Sequence, residues 1–261
     1  MLGQHRSTQR YQSKKRDGEA ELVAAIKQVA QKHPRWGYRL VRVRLWTLGW
    51  AVSRKRVYRL WAKEGLCRRV KRRRRRHKGA SENACAVRRS RGINDVWTYD
   101  VAHDRTEDNR RLKVLVIQDE YSRECLSLMT RRRITAGDVV EELSRLFNIH
   151  GYPNCLRSDN GPEFIAKVVE TWLRVNNIGP LYVQPGSPWE NGYAESFIAR
   201  LRDELLDVEL FTSVLEAQVV AEAHRVEYNT IRPHSALGGL TPVEFAQKCR
   251  SENKAAQAAL S

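Results

Sequence analysis

Three acidic side chains of the sequence occupy positions where a carboxylate can do chemistry. Asp100 lies within the apolar run "VWTYDVAH", Asp159 ends the short run "NCLRSD", and Glu195 lies in "SPWENGYAESF", in the first turns of a predicted helix. Aspartate is disfavoured within a β-strand, and a buried carboxylate needs a partner. Mg²⁺ is typically held by carboxylates together with substrate phosphate and water, and a pair of such ions stabilises the attacking and leaving oxygens of a phosphodiester displacement. The three acids therefore indicate metal-dependent phosphoryl transfer, provided that the fold brings them together.

A purely structural interpretation of the same acids stays open at this point. Asp159 could cap the helix that begins near Pro162, Asp100 could pair with an arginine, and Glu195 could be an ordinary surface residue. The arrangement of the strands discriminates between the two interpretations, because open sheets gather ligands at the carboxyl ends of their strands. If the first and fourth strands are neighbours, Asp100 and Asp159 meet at that edge, and Glu195 can reach them from the flanking helix.

The second part of the chain has the pattern of an α/β domain. Short runs rich in β-branched, aromatic and aliphatic residues predict five strands, at residues 95–103, 111–119, 124–130, 154–159 and 179–184. Apolar residues at helical spacing predict four helices, at residues 135–151, 162–176, 190–206 and 212–228. This order of elements predicts a mixed five-stranded sheet flanked by helices.

The formal net charge of +17 is concentrated in the first third of the chain. Residues 1–91 contain 28 Lys and Arg against five Asp and Glu, whereas residues 92–261 contain 19 against 25. A basic region of this size is typical of a nucleic-acid-binding protein, because each neutralised phosphate releases condensed counterions. A merely soluble basic surface is the alternative, and the apolar periodicity inside the basic region argues against it.

Three short helices are predicted within this basic region. The first is "EAELVAAIKQVAQK", with acidic residues at its start and lysine near its end, as the helix dipole favours. The second has apolar residues at Leu40, Val43 and either Leu45 or Trp46, and the third begins after the N-cap residue Ser53. Three short helices joined by tight turns are typical of a small all-α helix-turn-helix module.

Two groups of basic residues are the predicted DNA contacts. One group lies at the start of the third helix, and the other forms the run "KRRRRRHK", whose like charges repel one another and favour an extended linker or arm. The predicted DNA-binding residues are Arg54, Lys55, Arg56, Arg59, Arg72, Arg73, Arg74, Arg75 and Arg76.

Cysteine usage and hydropathy exclude several classes of protein. The five cysteines are scattered and form no C-x-x-C pair, which argues against a zinc finger and against a disulfide framework. No apolar run approaches the roughly 20 residues of a membrane-spanning helix, and the basic N-terminus lacks the apolar block of a signal peptide. We therefore expect a cytoplasmic, nucleoid-associated protein without a membrane partner.

Longer stretches of the chain closely resemble bacterial insertion-sequence transposases, specifically the second-frame product of the family with two overlapping reading frames. Five stretches are similar to the integrase core of that family: "WTYDV", "RSDNGPEF", "PGSPWENGYAESF", "RLRDELL" and "YNTIRPHSALGGLTPVEF". Upstream, "HPRWGYRLVRVRL" and "SRKRVYRLWAKEGL" resemble the helix-turn-helix that precedes this core. The resemblance spans residues 20–248.

The resemblance implies a ribonuclease H-like fold with a catalytic triad of two aspartates and one glutamate. The triad maps onto Asp100, Asp159 and Glu195, and Glu195 is preferred over Glu190 because the family's glutamate stands in "ESF". Two divalent cations, Mg²⁺ or Mn²⁺, would be held by these carboxylates. The implied activity is cleavage at the 3′ ends of an insertion sequence followed by strand transfer.

The resemblance also implies partners and a domain organisation. The partners are double-stranded DNA, a further copy of the protein, and a first-frame product to which the active form is usually fused. The predicted domains are a flexible basic N-terminus (1–18), the helix-turn-helix module (19–68), an arginine-rich linker (69–92), the integrase core (93–248) and a C-terminal tail (249–261). Two other functions stay open: a catalytically inactive DNA-binding regulator, and a ribonuclease H-like nuclease that cuts without joining.

Overall fold

The computed structural model describes residues 10, 18–67, 88–158, 167–182 and 191–258. The chain divides into two compact units, residues 1–70 and residues 71–261, and each is described by itself. Across the described ranges, no helix combines the length and the apolar character that crossing a membrane requires.

Residues 18–67, the continuous described part of the N-terminal unit, form three short helices, α1 (Glu19–Lys32), α2 (Tyr38–Thr47) and α3 (Arg54–Lys63). The Ser53 hydroxyl caps α3 by accepting a hydrogen bond from the Arg56 backbone N–H at 3.3 Å, as predicted. Each helix contributes apolar side chains to a common core, namely Leu22, Ile26, Val41, Leu45, Val57, Leu60 and Trp61. The predicted three-helix arrangement is therefore confirmed.

The buried face of α2 differs from the predicted one. Val41 and Leu45, spaced by one helical turn, are fully buried, whereas Trp46 is 53% exposed. The Trp46 indole N–H donates to the Val52 carbonyl at 3.1 Å, and the Arg42 guanidinium lies 3.7 Å from the centre of the ring. Because the indole N–H is satisfied at the following turn and the ring stacks on arginine, Leu45, one of the two predicted alternatives, takes the core position. The difference from the prediction is that Val41 is buried, whereas Leu40 and Val43 are only half-buried.

The second unit contains a five-stranded mixed sheet. Its strands are β1 (Val96–Arg105), β2 (Arg111–Asp119), β3 (Cys125–Arg131), β4 (Cys155–Ser158) and β5 (Gly179–Tyr182), in the spatial order β3-β2-β1-β4-β5. The pairs β1–β2 and β2–β3 are antiparallel, whereas β1–β4 and β4–β5 are parallel. The predicted mixed sheet is confirmed, and the first and fourth strands are neighbours, which is the condition for Asp100 and Asp159 to meet.

The described residues of this unit form the α-helices α4 (Ala136–His150), α5 (Lys167–Val175), α6 (Gly192–Leu201), α7 (Val214–Thr230) and α8 (Pro242–Ala258). A capping box starts α4, in which the Thr135 hydroxyl accepts from the Asp138 backbone N–H and the Asp138 carboxylate accepts from the Thr135 backbone N–H. A π-helical turn (Arg202–Leu206) follows α6 directly. Helix α8 continues past residue 248, where the tail was expected to begin.

The two faces of the sheet bury separate clusters of apolar side chains. Trp97 and Tyr99 of β1 pack with α4 and α5 on one face, whereas Ala102 of β1 packs with Phe197 of α6 and Tyr228 of α7 on the other. Side chains alternate between the faces of a strand, so Asp100 shares the face of Ala102. The strand that carries Asp100 is therefore covered by α6 on the side to which its carboxylate belongs.

Two buried ion pairs join loops to neighbouring elements. The Arg157 Nε of β4 donates to Glu120 Oε1 at 2.8 Å, in the turn after β2, and both side chains are almost fully buried. The Arg232 Nε, just after α7, donates to Glu204 Oε2 of the π-helical turn at 2.7 Å. Because each guanidinium compensates a buried carboxylate, the two contacts fix loop positions that backbone hydrogen bonds alone would not.

Candidate active site

The register of β1 and β4 fixes the position of the first predicted acid. Ser158, the last residue of β4, pairs with Tyr99 of β1 in the parallel ladder. Asp100 follows Tyr99 in the sequence, and Asp159 follows Ser158. Asp159 itself lies outside the described residues. Asp100 therefore stands at the level where β4 ends, at the carboxyl end of the strand pair, where open α/β sheets bind ligands.

The half-buried Asp100 carboxylate is tied to its own strand and to the start of α6. Its Oδ1 accepts a hydrogen bond from the Val101 backbone N–H at 2.6 Å, and its Oδ2 accepts from Asn191 Nδ2 at 3.4 Å. Asn191 is only 4% exposed, and its Oδ1 accepts from the Thr98 hydroxyl at 3.1 Å. The Asn191 amide therefore bridges two side chains of β1 and anchors α6 beside Asp100.

Glu195 lies on α6, one turn beyond this anchor. The apolar face of the helix, formed by Ala194, Phe197 and Leu201, is buried against the sheet. Glu195 follows Ala194 on the rim of that face, and its side chain is exposed. Four residues of helix separate Asn191 and Glu195, a rise of about 6 Å along the axis. The fold thus brings the helix that carries Glu195 to the strand that carries Asp100.

The donor chemistry of these residues fits a hard divalent cation. Carboxylate oxygens are the ligands that Mg²⁺ takes from proteins, and it commonly keeps water and substrate phosphate as the others. Within the described ranges, which leave out Asp159, no group of three or more His, Cys, Asp and Glu side chains forms a metal site. Asp100 and Glu195 are accordingly two of the three predicted ligands.

The ion pair between Glu120 and Arg157 stabilises the end of β4 next to the candidate site. Arg157 comes two residues before Asp159, and its Nη2 also donates to the Arg88 carbonyl at 2.6 Å. Burial raises the pKa of Glu120 to about 7, against the lowering effect of Arg157. The contact holds the end of β4 against the turn after β2. The members of the pair are 37 positions apart in the chain, so no local sequence pattern reveals their contact.

Neighbouring acids that could compete with the triad have structural roles. Asp119, at the end of β2, accepts hydrogen bonds from the backbone N–H groups of Asn94, Tyr121 and Ser122 at 2.7–2.9 Å. Burial raises the pKa of Asp119, and these hydrogen bonds lower it in part. Asp119 therefore organises the turn that follows β2, as expected from its position at a strand end.

The predicted DNA-binding residues fall into two sets. Arg54, Lys55 and Arg59 are exposed on α3, although Arg59 also pairs with Glu19 of α1 at 2.9 Å. Arg56 is half-buried, and its Nε has no hydrogen-bond partner within the described residues. The second set, Arg72, Arg73, Arg74, Arg75 and Arg76, lies outside the described residues. The α3 set is thus a basic surface at the start of the third helix.

Asn191 is the site residue whose role the sequence did not reveal. The side chain is buried beside α6 and engaged with Thr98 and Asp100. Its place directly before the helix, where asparagine is favoured, was the available signal. That signal predicts a cap, whereas the amide here bonds to the neighbouring strand.

The chain matches family models of two kinds of domain, an HTH-like domain and an integrase core domain. A model described as an HTH-like domain matches residues 17–75, and two models described as integrase core domains match residues 91–188 and 176–242. Together these matches follow the division into a helical N-terminal unit and a sheet-containing second unit.

Relatives of similar length are proteins of bacterial insertion elements. The chain is 34% identical over 252 residues to a 31.7 kDa protein of insertion element IS407 from Burkholderia multivorans, covering 96% of this chain and 90% of the relative. It is 26% identical over 241 residues to a putative transposase for insertion sequence element IS150 from Escherichia coli, covering 88% and 84%.

A solved structure has the same fold. The chain superposes on the simian T-cell lymphotropic virus intasome in complex with the PP2A regulatory subunit B56 gamma with a TM-score of 0.53 and 17% identity, covering 85% of this chain and 74% of that chain. At this identity the likeness concerns the fold alone. It agrees with the predicted ribonuclease H-like, mixed sheet flanked by helices.

Proposed function

The chain belongs to the insertion-sequence transposases that carry an HTH-like domain and an integrase core, and from this premise we propose that it cleaves DNA at the 3′ ends of its element and joins them to a target. The observation that carries the proposal is the parallel pairing of β1 with β4, with α6 anchored by Asn191 at Asp100. This arrangement brings the helix that carries Glu195 to the strand that carries Asp100, and Asp159 directly follows the last residue of β4 in the sequence.

In the proposed mechanism, Asp100, Asp159 and Glu195 would hold two divalent cations, Mg²⁺ or Mn²⁺. When bound, such cations would supply the positive charge and the activated water that phosphodiester displacement requires. The Asp100 carboxylate is oriented by the Val101 N–H and by the Asn191 amide. Glu195 extends from a helix whose Ala194, Phe197 and Leu201 are buried, so the backbone position of Glu195 is fixed by packing.

DNA is the proposed partner of both units. The exposed basic side chains of α3 and the arginines of the 71–76 run would neutralise phosphates, since this is the source of most non-specific affinity. Residues 92–261, which contain 19 Lys and Arg against 25 Asp and Glu, would then meet DNA mainly through the cations and a small number of arginines. We further propose that joining two DNA ends requires more than one protomer, or a first-frame product.

The test is a cleavage and strand-transfer assay with labelled duplexes that carry an element end. Wild type is expected to produce cut and joined products in Mg²⁺ or Mn²⁺. Asp100→Asn, Asp159→Asn and Glu195→Gln are each expected to lower both products to background, because each removes one metal ligand. The matched control is Glu209→Gln, which neutralises an exposed glutamate outside the site and should keep full activity.

Three outcomes would change the proposal. Activity in Asp159→Asn equal to that of wild type would remove the mechanism. Cut products without joined products, at every protein concentration and with the first-frame product added, would indicate a nuclease. DNA binding without any metal-dependent product would indicate a regulator whose catalytic domain is inactive.

A further inference from the structure

A cavity beside α6 is lined by basic side chains that the proposed chemistry does not use. Its volume is about 390 Å³, and its lining includes Arg89, Arg123, Arg200 and His234. Its remaining walls come from one face of α6 and from Gln118, Tyr228 and Ala236. None of the described residues that line it is acidic. Three guanidinium groups and no carboxylate line the described part of this cavity, so its positive electrostatic potential favours a bound anion.

His234, which lines this cavity, carries an unsatisfied polar atom. Its side chain is buried, at 6% exposure for the residue, and its Nε2 has no hydrogen-bond partner within the described residues. The ring is held by an edge contact with Tyr228 at 4.7 Å, and the backbone N–H donates to the Leu240 carbonyl at 3.0 Å. A buried polar atom without a protein partner costs stability, and a bound water, ion or ligand removes that cost.

The arginines around His234 are held in place by neighbours. The Arg123 guanidinium lies 4.0 Å from the centre of the Tyr193 ring, and the Arg123 carbonyl accepts a hydrogen bond from Gln118 Nε2 at 3.0 Å. The Arg200 Nη1 donates to the Ser196 hydroxyl at 2.8 Å and to the Ser196 carbonyl at 3.1 Å. Both bonds of Arg200 use one nitrogen, and a guanidinium has five N–H groups, so others can face an anion.

The protonation state of His234 is consistent with this role. Burial, followed by the nearby charges of Arg232, Arg200 and Arg123, lowers the pKa of His234 to about 3. The imidazole is therefore neutral at neutral pH, and a neutral imidazole donates one hydrogen bond. A phosphate oxygen accepts such a bond, and its negative charge is offset by the arginines rather than by the histidine.

The cavity shares a wall with the candidate active site. Tyr193, Ser196 and Arg200 lie on one face of α6, the helix that also carries Glu195. Gln118 pairs across the sheet with Thr98, which donates to Asn191, the residue that also contacts Asp100. An anion bound in the cavity would therefore be held at a fixed position relative to the proposed metal site.

We propose that this cavity binds one non-reacting phosphate of the DNA backbone, gripped by Arg123, Arg200 and His234. The inference rests on the proposed function for the identity of its ligand. A phosphate fixed there sets the register of the strand, so that a different phosphodiester of the same strand reaches Asp100. The cavity is thus a positioning site for DNA and is separate from the metal ligands.

The test measures DNA affinity with the full chain in Ca²⁺, on element-end duplexes in which single phosphates are replaced by neutral methylphosphonates. For wild type, we expect one position outside the scissile bond where the replacement weakens binding about tenfold, the effect of one lost charge-assisted contact. Arg123→Gln, Arg200→Gln and His234→Leu should each weaken binding to unmodified DNA by about the same factor. In these variants the methylphosphonate at that position should cause no further loss.

Two controls separate this result from misfolding and from general charge effects. Thermal melting checks that each variant is folded, and His234→Gln, which restores an N–H donor, should recover most of the affinity lost in His234→Leu. Arg145→Gln removes a positive charge that is paired with Glu142 on α4, and it should leave affinity unchanged.

The inference would be overturned if each variant weakened DNA binding by the same factor on every methylphosphonate duplex as on unmodified DNA, because the two losses would then be additive at every position. A second result would also overturn it: inorganic phosphate or a mononucleotide raises the melting temperature of wild type, while the variants keep their affinity for DNA. The cavity would then bind a small anion. The proposed function is tested separately. If the protein does not cleave DNA but one methylphosphonate position still weakens binding, this inference stands. If cleavage is normal and no such position is found, this inference alone is removed.

Discussion

At the scale of single residues, the proposed chemistry depends on a buried amide as well as on carboxylates. Asn191 accepts from Thr98 and donates to Asp100, so it connects the strand that bears one predicted ligand with the helix that bears another. Partners of metal ligands orient those ligands, and their loss typically lowers metal affinity or activity by about 10- to 100-fold. Asn191 is thus a positioning residue.

Asn191→Ala should lower the rate of metal-dependent cleavage by about 10- to 100-fold and raise the cation concentration needed for half-maximal activity. The reason is that Asp100 loses a donor and α6 loses its tie to β1. Initial rates across a Mg²⁺ titration measure both effects. Asn176→Ala, which removes an amide that donates to the Trp172 carbonyl of α5, is the matched control. An unchanged Mg²⁺ requirement in Asn191→Ala would contradict a positioning role.

His234 makes stability depend on pH in a direction opposite to that of a salt-bridged histidine. Its pKa is about 3 in the folded protein, whereas histidine ordinarily titrates near 6.5. As pH falls from 6.5 toward 3, His234 is protonated in the unfolded chain but stays neutral in the folded chain. The free energy of unfolding therefore decreases on acidification through this range. The neutral ring is the state that the fold requires.

Urea unfolding of wild type and His234→Asn, without DNA, between pH 7.5 and 4.5 tests this expectation. The stability of wild type relative to the variant should fall steadily as pH drops below 6.5. Buried acids such as Glu120 act in the opposite direction, because burial raises their pKa, but they are common to both proteins and cancel in the comparison. A difference that stays constant over this pH range would show that His234 titrates normally.

At the scale of elements, α6 and the loop after α7 are joined through a buried ion pair. Glu204 lies in the π-helical turn that extends α6, and Arg232 precedes the segment that positions His234. Both side chains are about nine-tenths buried. Irregular turns of this kind often occur at functional sites. Here the pair fixes one wall of the cavity against the end of the helix that carries Glu195.

Arg232→Met should destabilise the protein by about 3–5 kcal/mol, because it leaves the Glu204 carboxylate buried without its counter-charge. The double change Glu204→Gln with Arg232→Met should recover a large part of that loss, since no charge is then stranded. Chemical denaturation followed by circular dichroism measures both. The control is Arg225→Met, whose partner Glu222 is 58% exposed, and it should cost no more than about 1 kcal/mol. A loss equal to that of the control would mean that solvent already screens the buried pair.

At the scale of the whole molecule, charge is divided between the two parts of the chain. The excess of basic residues belongs to residues 1–91, whereas the remainder has more acidic than basic residues. The proposed site lies in the acidic part. DNA affinity should therefore come mainly from residues 1–91 and be strongly dependent on salt, while residues 92–261 contribute position and chemistry.

Replacing the five arginines 72–76 with glutamine should reduce the slope of log affinity against log salt concentration by up to about 4–5, if all five neutralise phosphates. Fluorescence anisotropy on a duplex of unrelated sequence, across a series of salt concentrations, provides the slope. A variant with Arg145→Gln and Arg225→Gln, two arginines that are paired with glutamates on their own helices, should keep the wild-type slope. An unchanged slope in the five-arginine variant would place phosphate binding elsewhere in the chain.

The sequence by itself determined the elements and the identity of the candidate acids. Runs of apolar and β-branched residues predicted the five strands, and apolar residues at helical spacing predicted most helices, close to their observed bounds, because the buried positions of an element must be apolar. The capping signal of Ser53 was likewise evident in the sequence, since a cap bonds within its own turn. On α2, Leu45, one of two predicted alternatives, is buried, whereas Val41 is buried in place of the predicted Leu40 and Val43.

Only the tertiary structure decided which distant residues meet. The contact of Asn191 with Asp100, the pairs Glu120–Arg157 and Glu204–Arg232, and the grouping of Arg123, Arg200 and His234 join residues from separate elements. Hydrophobic periodicity specifies the face that an element buries. It carries no information about which polar side chain from another part of the chain forms a hydrogen bond or ion pair on that face. Those partners depend on strand order and helix placement, which are properties of the packed molecule.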